Sequence, residues 1–218
     1  MRETLILKTP GTVNYPEAVE LQLQTLEKRI AGETGDTLIL LEHPPTITTG
    51  RRGNLSNLTA SREFLEEKGV YVDPSAGRGG DITFHGPGQI VGYPIVGIKD
   101  RKGGVPGYVR SLEKVIIRAL ADFGVSARRV EKLTGVWVKR SKIASIGVGV
   151  RRWITWHGFA LNVNTDLSWF DTMVPCGLPQ TRMTSIKDWT DSGQDIDMEA
   201  ARDSLIKHFA EEFGYEQP

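Results

Sequence analysis

The sequence predicts an α+β fold, a single domain with a mixed β-sheet and flanking helices. Three observations predict it. Apolar runs of strand length crowd the middle of the chain, while helical periodicity is confined to the start, centre and end. Strand and helix do not alternate in a repeating βαβ order, which disfavours a doubly wound design. The 218 residues are 39% apolar, 25% charged and 8% aromatic, an ordinary globular composition that excludes disorder, collagen-like repeats and coiled coil. No linker divides the chain, so residues 1–218 are read as one domain.

Taken in order, Thr4–Lys8 reads as a short strand and Tyr15–Ala31 as an amphipathic helix with Val19, Leu23, Leu26 and Ile30 on its apolar stripe. Gly32 and Gly35 end that helix. The continuous apolar centre Leu38-Ile39-Leu40-Leu41 suits a strand buried on both faces. His43-Pro44-Pro45 interrupts it, and Thr46–Thr49 resumes extended structure. Ser61 is placed to cap a short helix reaching Lys68. Val70–Asp73 reads as strand, and Asp81–Phe84 and Gln89–Val96 read as two strands joined by a Gly/Pro turn. Val105–Phe123 aligns Val109, Leu112, Ile116 and Leu120, with Gly124 as its stop. Gly135–Lys139 and Lys142–Val150 predict a hairpin across Arg140-Ser141, Trp153–Val163 further strand, 164–190 mostly loop, and Met198–Phe213 a last helix closed by Gly214.

Lys plus Arg equals Asp plus Glu at 27 each, which argues against a dedicated nucleic-acid coat. No apolar run approaches the roughly 20 residues that span a bilayer, so no membrane embedding is expected. Charge is nevertheless uneven. Residues 128–152 hold eight basic residues against Glu131, and residues 188–218 hold nine acids against Arg202 and Lys207. The basic stretch is either a solvated face or the receiver of an acidic partner. One cysteine, Cys176, allows no internal disulfide, and the polar start MRETLILKTPG does not read as a signal peptide. Both favour a cytoplasmic location.

The chemistry-bearing segments are few. No GxxxxGK[ST] phosphate loop, GxSxG elbow or zinc spacing is present, and the four histidines are far apart in sequence. No metal or cofactor is expected. Cys176 lies in Pro175-Cys176-Gly177-Leu178-Pro179. A lone cysteine is commonly a buried small hydrophobe, but prolines and a glycine make this a stiff loop that presents the thiol. A free thiol with a pKa of about 8.5 is a weak nucleophile at neutral pH unless a neighbour assists it. Lys142 opens the apolar strand Ile143-Ala144-Ser145-Ile146-Gly147-Val148. It is either a surface lysine at a hairpin turn or a half-buried amine able to serve as acid and base. Gly77-Arg78-Gly79-Gly80-Asp81-Ile82-Thr83-Phe84-His85 joins permissive backbone to polar side chains, a tight turn or a ligand cradle. Trp156-His157-Gly158-Phe159-Ala160 sets small residues beside aromatics, as a narrow apolar channel or an ordinary core would.

Together with Leu41-Glu42-His43-Pro44-Pro45, Gly50-Arg51-Arg52-Gly53 and Leu133-Thr134-Gly135-Val136-Trp137-Val138, these segments closely resemble one family. It is the octanoyl-(acyl carrier protein):protein N-octanoyltransferases, also called lipoate-protein ligase B. Phe84 departs from the tyrosine usual in that family. The resemblance implies the fold of the catalytic domain of biotin and lipoate protein ligases, and no cofactor. It implies that Cys176 takes an octanoyl group from acyl carrier protein as a thioester. A lysine on a lipoyl domain, of 2-oxo acid dehydrogenase E2 subunits or the glycine cleavage H protein, then receives it as an amide. Lys142 would be the acid/base partner. Arg78, Gly79, Gly80, Asp81, Ile82, Thr83, Phe84 and His85, with Ser145, Ile146, Gly147, Gly158, Phe159 and Ala160, would line the acyl pocket. His85 and His157 remain alternatives to Lys142 for the proton. A monomer is expected. Rivals are an ATP-dependent lipoate or biotin ligase of the same fold, and a non-catalytic acyl-carrier-binding protein.

Overall fold

A strand that is apolar at every position needs cover on both faces, and Leu38 to Leu41 receive it. The computed structural model describes residues 4–174, 181–190 and 194–216, and places this run in β2 (Thr37–Glu42). Leu38 and Leu40 face one core and Ile39 and Leu41 face another, as the two-residue period of a strand requires. The first core is closed by α3 (Gly104–Asp122) and α4 (Met198–Phe213), the second by α1 (Tyr15–Ala31).

The main sheet holds eight strands among the described residues. Its order is β1 (Ile6–Thr12), β2, β6 (Gln89–Ile95), β10 (Ile154–Asn162), β9 (Ser141–Arg151), β8 (Leu133–Val138) and β7 (Arg128–Val130), with β11 (Arg182–Met183) beside the start of β9. β1 and β2 run parallel, as do β11 and β9, while the other pairings are antiparallel. A mixed sheet with helices on both faces is the predicted architecture. No helix among the described residues is long and apolar enough to cross a membrane.

A second sheet has three strands: β4 (Tyr71–Asp73), β3 (Thr46–Thr49) and β5 (Ile82–His85). The turn between β5 and β6 therefore joins two sheets and is not a hairpin. β5 pairs with β3, and β6 is held between β2 and β10. A short helix, α2 (Arg62–Glu67), packs Leu65 into this smaller core and starts where predicted, with Ser61 Oγ accepting from the Phe64 N–H.

Two further expectations are corrected, and one strand had not been foreseen. The first strand runs to Thr12 because it finds β2 as a parallel neighbour. Arg128–Val130 forms β7, which charge had disguised. In α1 the buried positions are Tyr15, Ala18, Gln22, Thr25 and Leu26, while Leu23 is 36% exposed. The helix is turned from its apolar stripe because Gln22 has a partner in the sheet, and Thr25 can follow it inward because its hydroxyl is satisfied within the helix. Gln22 Oε1 accepts the His157 N–H at 2.8 Å, and the Thr25 hydroxyl donates to Leu21 O at 2.8 Å.

Candidate active site

β9 outlasts its partner β10. Its first residues, Ser141 and Lys142, pair instead with Arg182 and Met183 of β11 on one side and with β8 on the other. That double cover buries Lys142 to 4% exposure, deeper than either the surface lysine or the half-buried amine that the sequence left open. Its backbone carbonyl accepts from Thr184 N at 3.0 Å, and its Nζ lies 5.8 Å from the centroid of the Trp137 ring. Gly135 makes the room, because a Cβ there would fall 2.6 Å from Lys142 Cε.

From Lys142 a cavity of about 550 Å³ extends along β9 and β10. β9 contributes Ser145, Ile146 and Gly147, and β10 contributes His157, Gly158, Phe159 and Ala160. The glycine-rich segment 78–81 crosses above them. Gly79 N donates to Val148 O at 3.0 Å, and a Cβ on Gly147 would meet Gly79 O at 2.5 Å. The glycines here bring backbone against backbone, while Gly79 and Gly80 also line the cavity, so both the tight turn and the cradle left open by the sequence have a counterpart. Arg78 is buried, with Nη2 donating to Thr48 O at 2.6 Å and Thr48 Oγ1 at 2.7 Å. Asp81 faces the neighbouring loop, accepting from Asn57 Nδ2 at 2.9 Å.

The fold gathers three histidines that the sequence scatters. His43 and His85 have ring centroids 5.7 Å apart, and Tyr93 contacts both His43 and His157. His43 Nδ1 must donate to the Val13 carbonyl, 2.7 Å away, so Nε2 accepts from the Tyr93 hydroxyl at 2.8 Å. His85 donates from Nδ1 to Gln89 Oε1 at 2.9 Å and accepts at Nε2 from Thr48. Burial pushes His43 down to about 4 and, helped by the Arg78 charge, His157 down to about 3. Burial, then the competing His43 ring and the Arg78 charge, holds His85 well below the ordinary histidine value. All three are neutral at neutral pH. Among the described residues no group of three or more His, Cys, Asp or Glu side chains is placed to hold a metal.

His157 is the strained member. It is 1% exposed, adopts φ 52° within β10, and its Nε2 has no hydrogen-bond partner among the described residues. A positive φ on a non-glycine residue inside a strand costs energy and persists only where surrounding contacts impose it. Here Gln22 holds the backbone N–H, and Trp156 packs on the ring with centroids 4.1 Å apart. Tyr15 Oη and Ser145 Oγ, also at the cavity, are buried without a partner among the described residues.

A family model described as the lipoyl protein ligase A/B catalytic domain matches residues 14–210. An octanoyltransferase of Solibacter usitatus is 48% identical over 212 residues, covering 96% of this chain and 93% of its own. An octanoyltransferase of Rubrobacter xylanophilus is 48% identical over 211 residues, with coverages of 96% and 93%. This chain belongs to the octanoyltransferase family. This chain shares its fold with more distant solved structures. Lipoate-protein ligase A bound with ATP superimposes with a TM-score of 0.75 at 16% identity, over 100% of this chain and 88% of its own. A biotin protein ligase from Aquifex aeolicus gives 0.55 at 12% identity, over 98% and 70%.

For this octanoyltransferase the structure places at one cavity Lys142, residues 78–83, His85, residues 145–147 and residues 158–160. Phe84 is a correction. The strand period sends Thr83 and His85 to one side of β5 and Phe84 to the other. Its ring stacks on Trp169 at 5.5 Å and meets Phe170 at 5.8 Å inside the smaller core, so it forms no wall of the cavity. Cys176 lies outside the described residues. Sequence reasoning missed Tyr15, Val91, Tyr93, Leu133 and Thr134 at the cavity. Leu133 and Thr134 sit in a segment already singled out, whereas Tyr15 carries no signal beyond opening a helix.

Proposed function

We propose that the chain moves an octanoyl group from a thioester on acyl carrier protein to Cys176, and from Cys176 to the ε-amino group of a lysine on a lipoyl domain. The observation that carries this reading is Lys142, buried in the wall of a cavity to which β9 and β10 bring the small and apolar residues Ile146, Gly147, Gly158, Phe159 and Ala160, in a chain 48% identical to proteins named octanoyltransferase. The Cys176 sulfur attacks the thioester carbonyl, the carrier thiol leaves with a proton, and a new thioester remains. That exchange is nearly balanced in energy, and the later step to an amide is downhill, so ATP is not required.

Lys142 serves as the acid and base: its ammonium pairs with the Cys176 thiolate and gives a proton to the departing carrier sulfur in the first step, and the neutral amine so formed takes a proton from the acceptor lysine in the second. An ordinary lysine amine, with a pKa of about 10.4, is neutral in under about 0.1% of molecules at pH 7, so the incoming acceptor needs a base beside it. The histidines are the poorer choice. His85 has both ring nitrogens engaged, and His157 is pushed down to about 3. Backbone N–H groups of the glycine-rich segments are the donors available to a developing oxyanion. The acceptors are lipoyl domains of 2-oxo acid dehydrogenase E2 subunits and the glycine cleavage H protein. We read the enzyme as a cytoplasmic, single-domain monomer.

Intact-mass measurement after mixing the protein with octanoyl carrier, without acceptor, tests this reading. One octanoyl group should be gained by the wild type and not by Cys176→Ala. No gain by the wild type, or lipoyl-domain octanoylation by Cys176→Ser from octanoate and ATP, would overturn it in favour of a binding protein or a ligase.

A further inference from the structure

The buried face of α3 carries one charged side chain, Glu113, among Tyr108, Leu112, Val115, Ile116, Ala119 and Leu120. A buried ion pair seldom stabilises a fold more than an apolar side chain of equal size would, so stability alone does not account for a carboxylate here. Its two oxygens have separate tasks. Oε2 accepts from Arg110 Nη1 at 2.8 Å and from Arg129 Nε at 3.1 Å. Oε1 accepts the backbone N–H of Gly135 at 3.1 Å.

Gly135 lies where the sheet loses its regular pairing. Trp137 pairs with Arg128 and Leu133 with Val130, so Thr134, Gly135 and Val136 stand opposite Arg129 alone on β7. On the other side Val136 pairs with Ala144 and Trp137 with Lys142, which leaves Ile143 as an extra residue in β9. Bulges of this kind bend a strand and re-aim its side chains. With the β7 ladder interrupted, the carboxylate of Glu113 takes the buried Gly135 N–H. Gly135 has φ 126°, a backbone shape that residues with side chains rarely adopt. A Cβ there would fall 2.6 Å from Lys142 Cε and 3.3 Å from Lys142 Nζ. The Lys142 amine therefore rests against the Gly135 backbone, and Glu113 holds that backbone to α3.

We propose that Glu113 is a positioning residue for Lys142, fixing the Gly135 backbone that aims the amine into the cavity. The inference rests on the acid–base reading of Lys142 above. The reach of the carboxyl oxygen to Gly135 matters here more than its charge. Arg110 and Arg129 are 51% and 39% exposed and can turn to water, whereas the buried Gly135 N–H cannot.

Three substitutions, each in wild type and in Lys142→Gln, test this. Glu113→Met removes the acceptor, and Glu113→Asp keeps the charge but withdraws it by one methylene. Each should lower kcat for octanoyl transfer tenfold or more, with KM for the octanoyl carrier within threefold. Glu113→Gln, whose amide oxygen still reaches Gly135, should keep kcat within threefold. In the Lys142→Gln background Glu113→Met and Glu113→Asp should change the residual kcat less than twofold, because a residue that acts through Lys142 has nothing left to position. Should Glu113→Met not fold, Glu113→Asp alone decides. Wild-type kcat in Glu113→Asp overturns the proposal. So does an active Glu113→Asp beside an inactive Glu113→Gln, which would assign the role to charge, or an equal loss with and without Lys142, which would mark a general structural defect. Wild-type kcat in Lys142→Gln itself would overturn the acid–base reading along with this role, whereas a hundredfold loss there beside a fully active Glu113→Asp overturns this role alone.

Discussion

In the proposed reaction Lys142 is the residue on which the chemistry turns. Positioned acid–base groups contribute roughly 10²- to 10⁴-fold to rate, so Lys142→Gln should lower kcat/KM for octanoyl transfer at least a hundredfold. A loss smaller than tenfold in steady-state assays would remove Lys142 from that role. The three buried histidines make a separate prediction about stability. His43 takes a proton at about 4 in the folded chain and near the ordinary 6.5 when unfolded, so the unfolded chain binds more protons between those values. Stability is therefore full above about pH 6.5 and is lost as pH falls toward 4, by about 3 kcal/mol for His43 alone. Urea unfolding at about pH 7 and about pH 5 should show this decline, and equal midpoints would contradict it. None of this was legible beforehand. Histidines far apart in sequence carry no sign that a fold will gather them, nor that tyrosine and glutamine will fix the tautomers of His43 and His85.

At the scale of elements, helix and strand positions were largely readable because period and stop signals are local. Tyr15–Ala31, Thr46–Thr49 and Met198–Phe213 have the bounds the sequence suggested. The burial of α1 was not readable, since its inner face is partly polar. Gln22→Leu should cost about 1 to 3 kcal/mol by leaving the buried His157 N–H without an acceptor, although it adds an apolar side chain. Leu23→Gln, on the exposed face, should be nearly neutral. Denaturant midpoints that rank the two variants the other way would show the helix turned as hydrophobicity alone implies. The crossing of segment 78–81 over β9 makes a similar prediction. Gly147→Ala places a methyl against Gly79 O and should destabilise by about 1 to 3 kcal/mol, which an unchanged midpoint would refute.

For the whole molecule, the class was predictable because the distribution of apolar runs fixes how many layers must be covered. The division into two sheets was not, since the Gly/Pro segment between β5 and β6 looks like a hairpin turn until β2 and β10 are seen to flank β6. That division is what opens the cavity between segment 78–85 of the smaller sheet and β9 and β10 of the larger. The charge pattern was legible as a sum and misleading as a map, because folding sends Arg151 and Arg128 to opposite ends of the sheet. The central claim is that the acyl group rests on this chain between donor and acceptor. Acylated protein freed of carrier and mixed with lipoyl domain in a single-turnover experiment tests it most directly. Transfer to the acceptor lysine at least as fast as kcat is the predicted result. A stable acyl adduct that never discharges, or discharges more slowly than turnover, would contradict it.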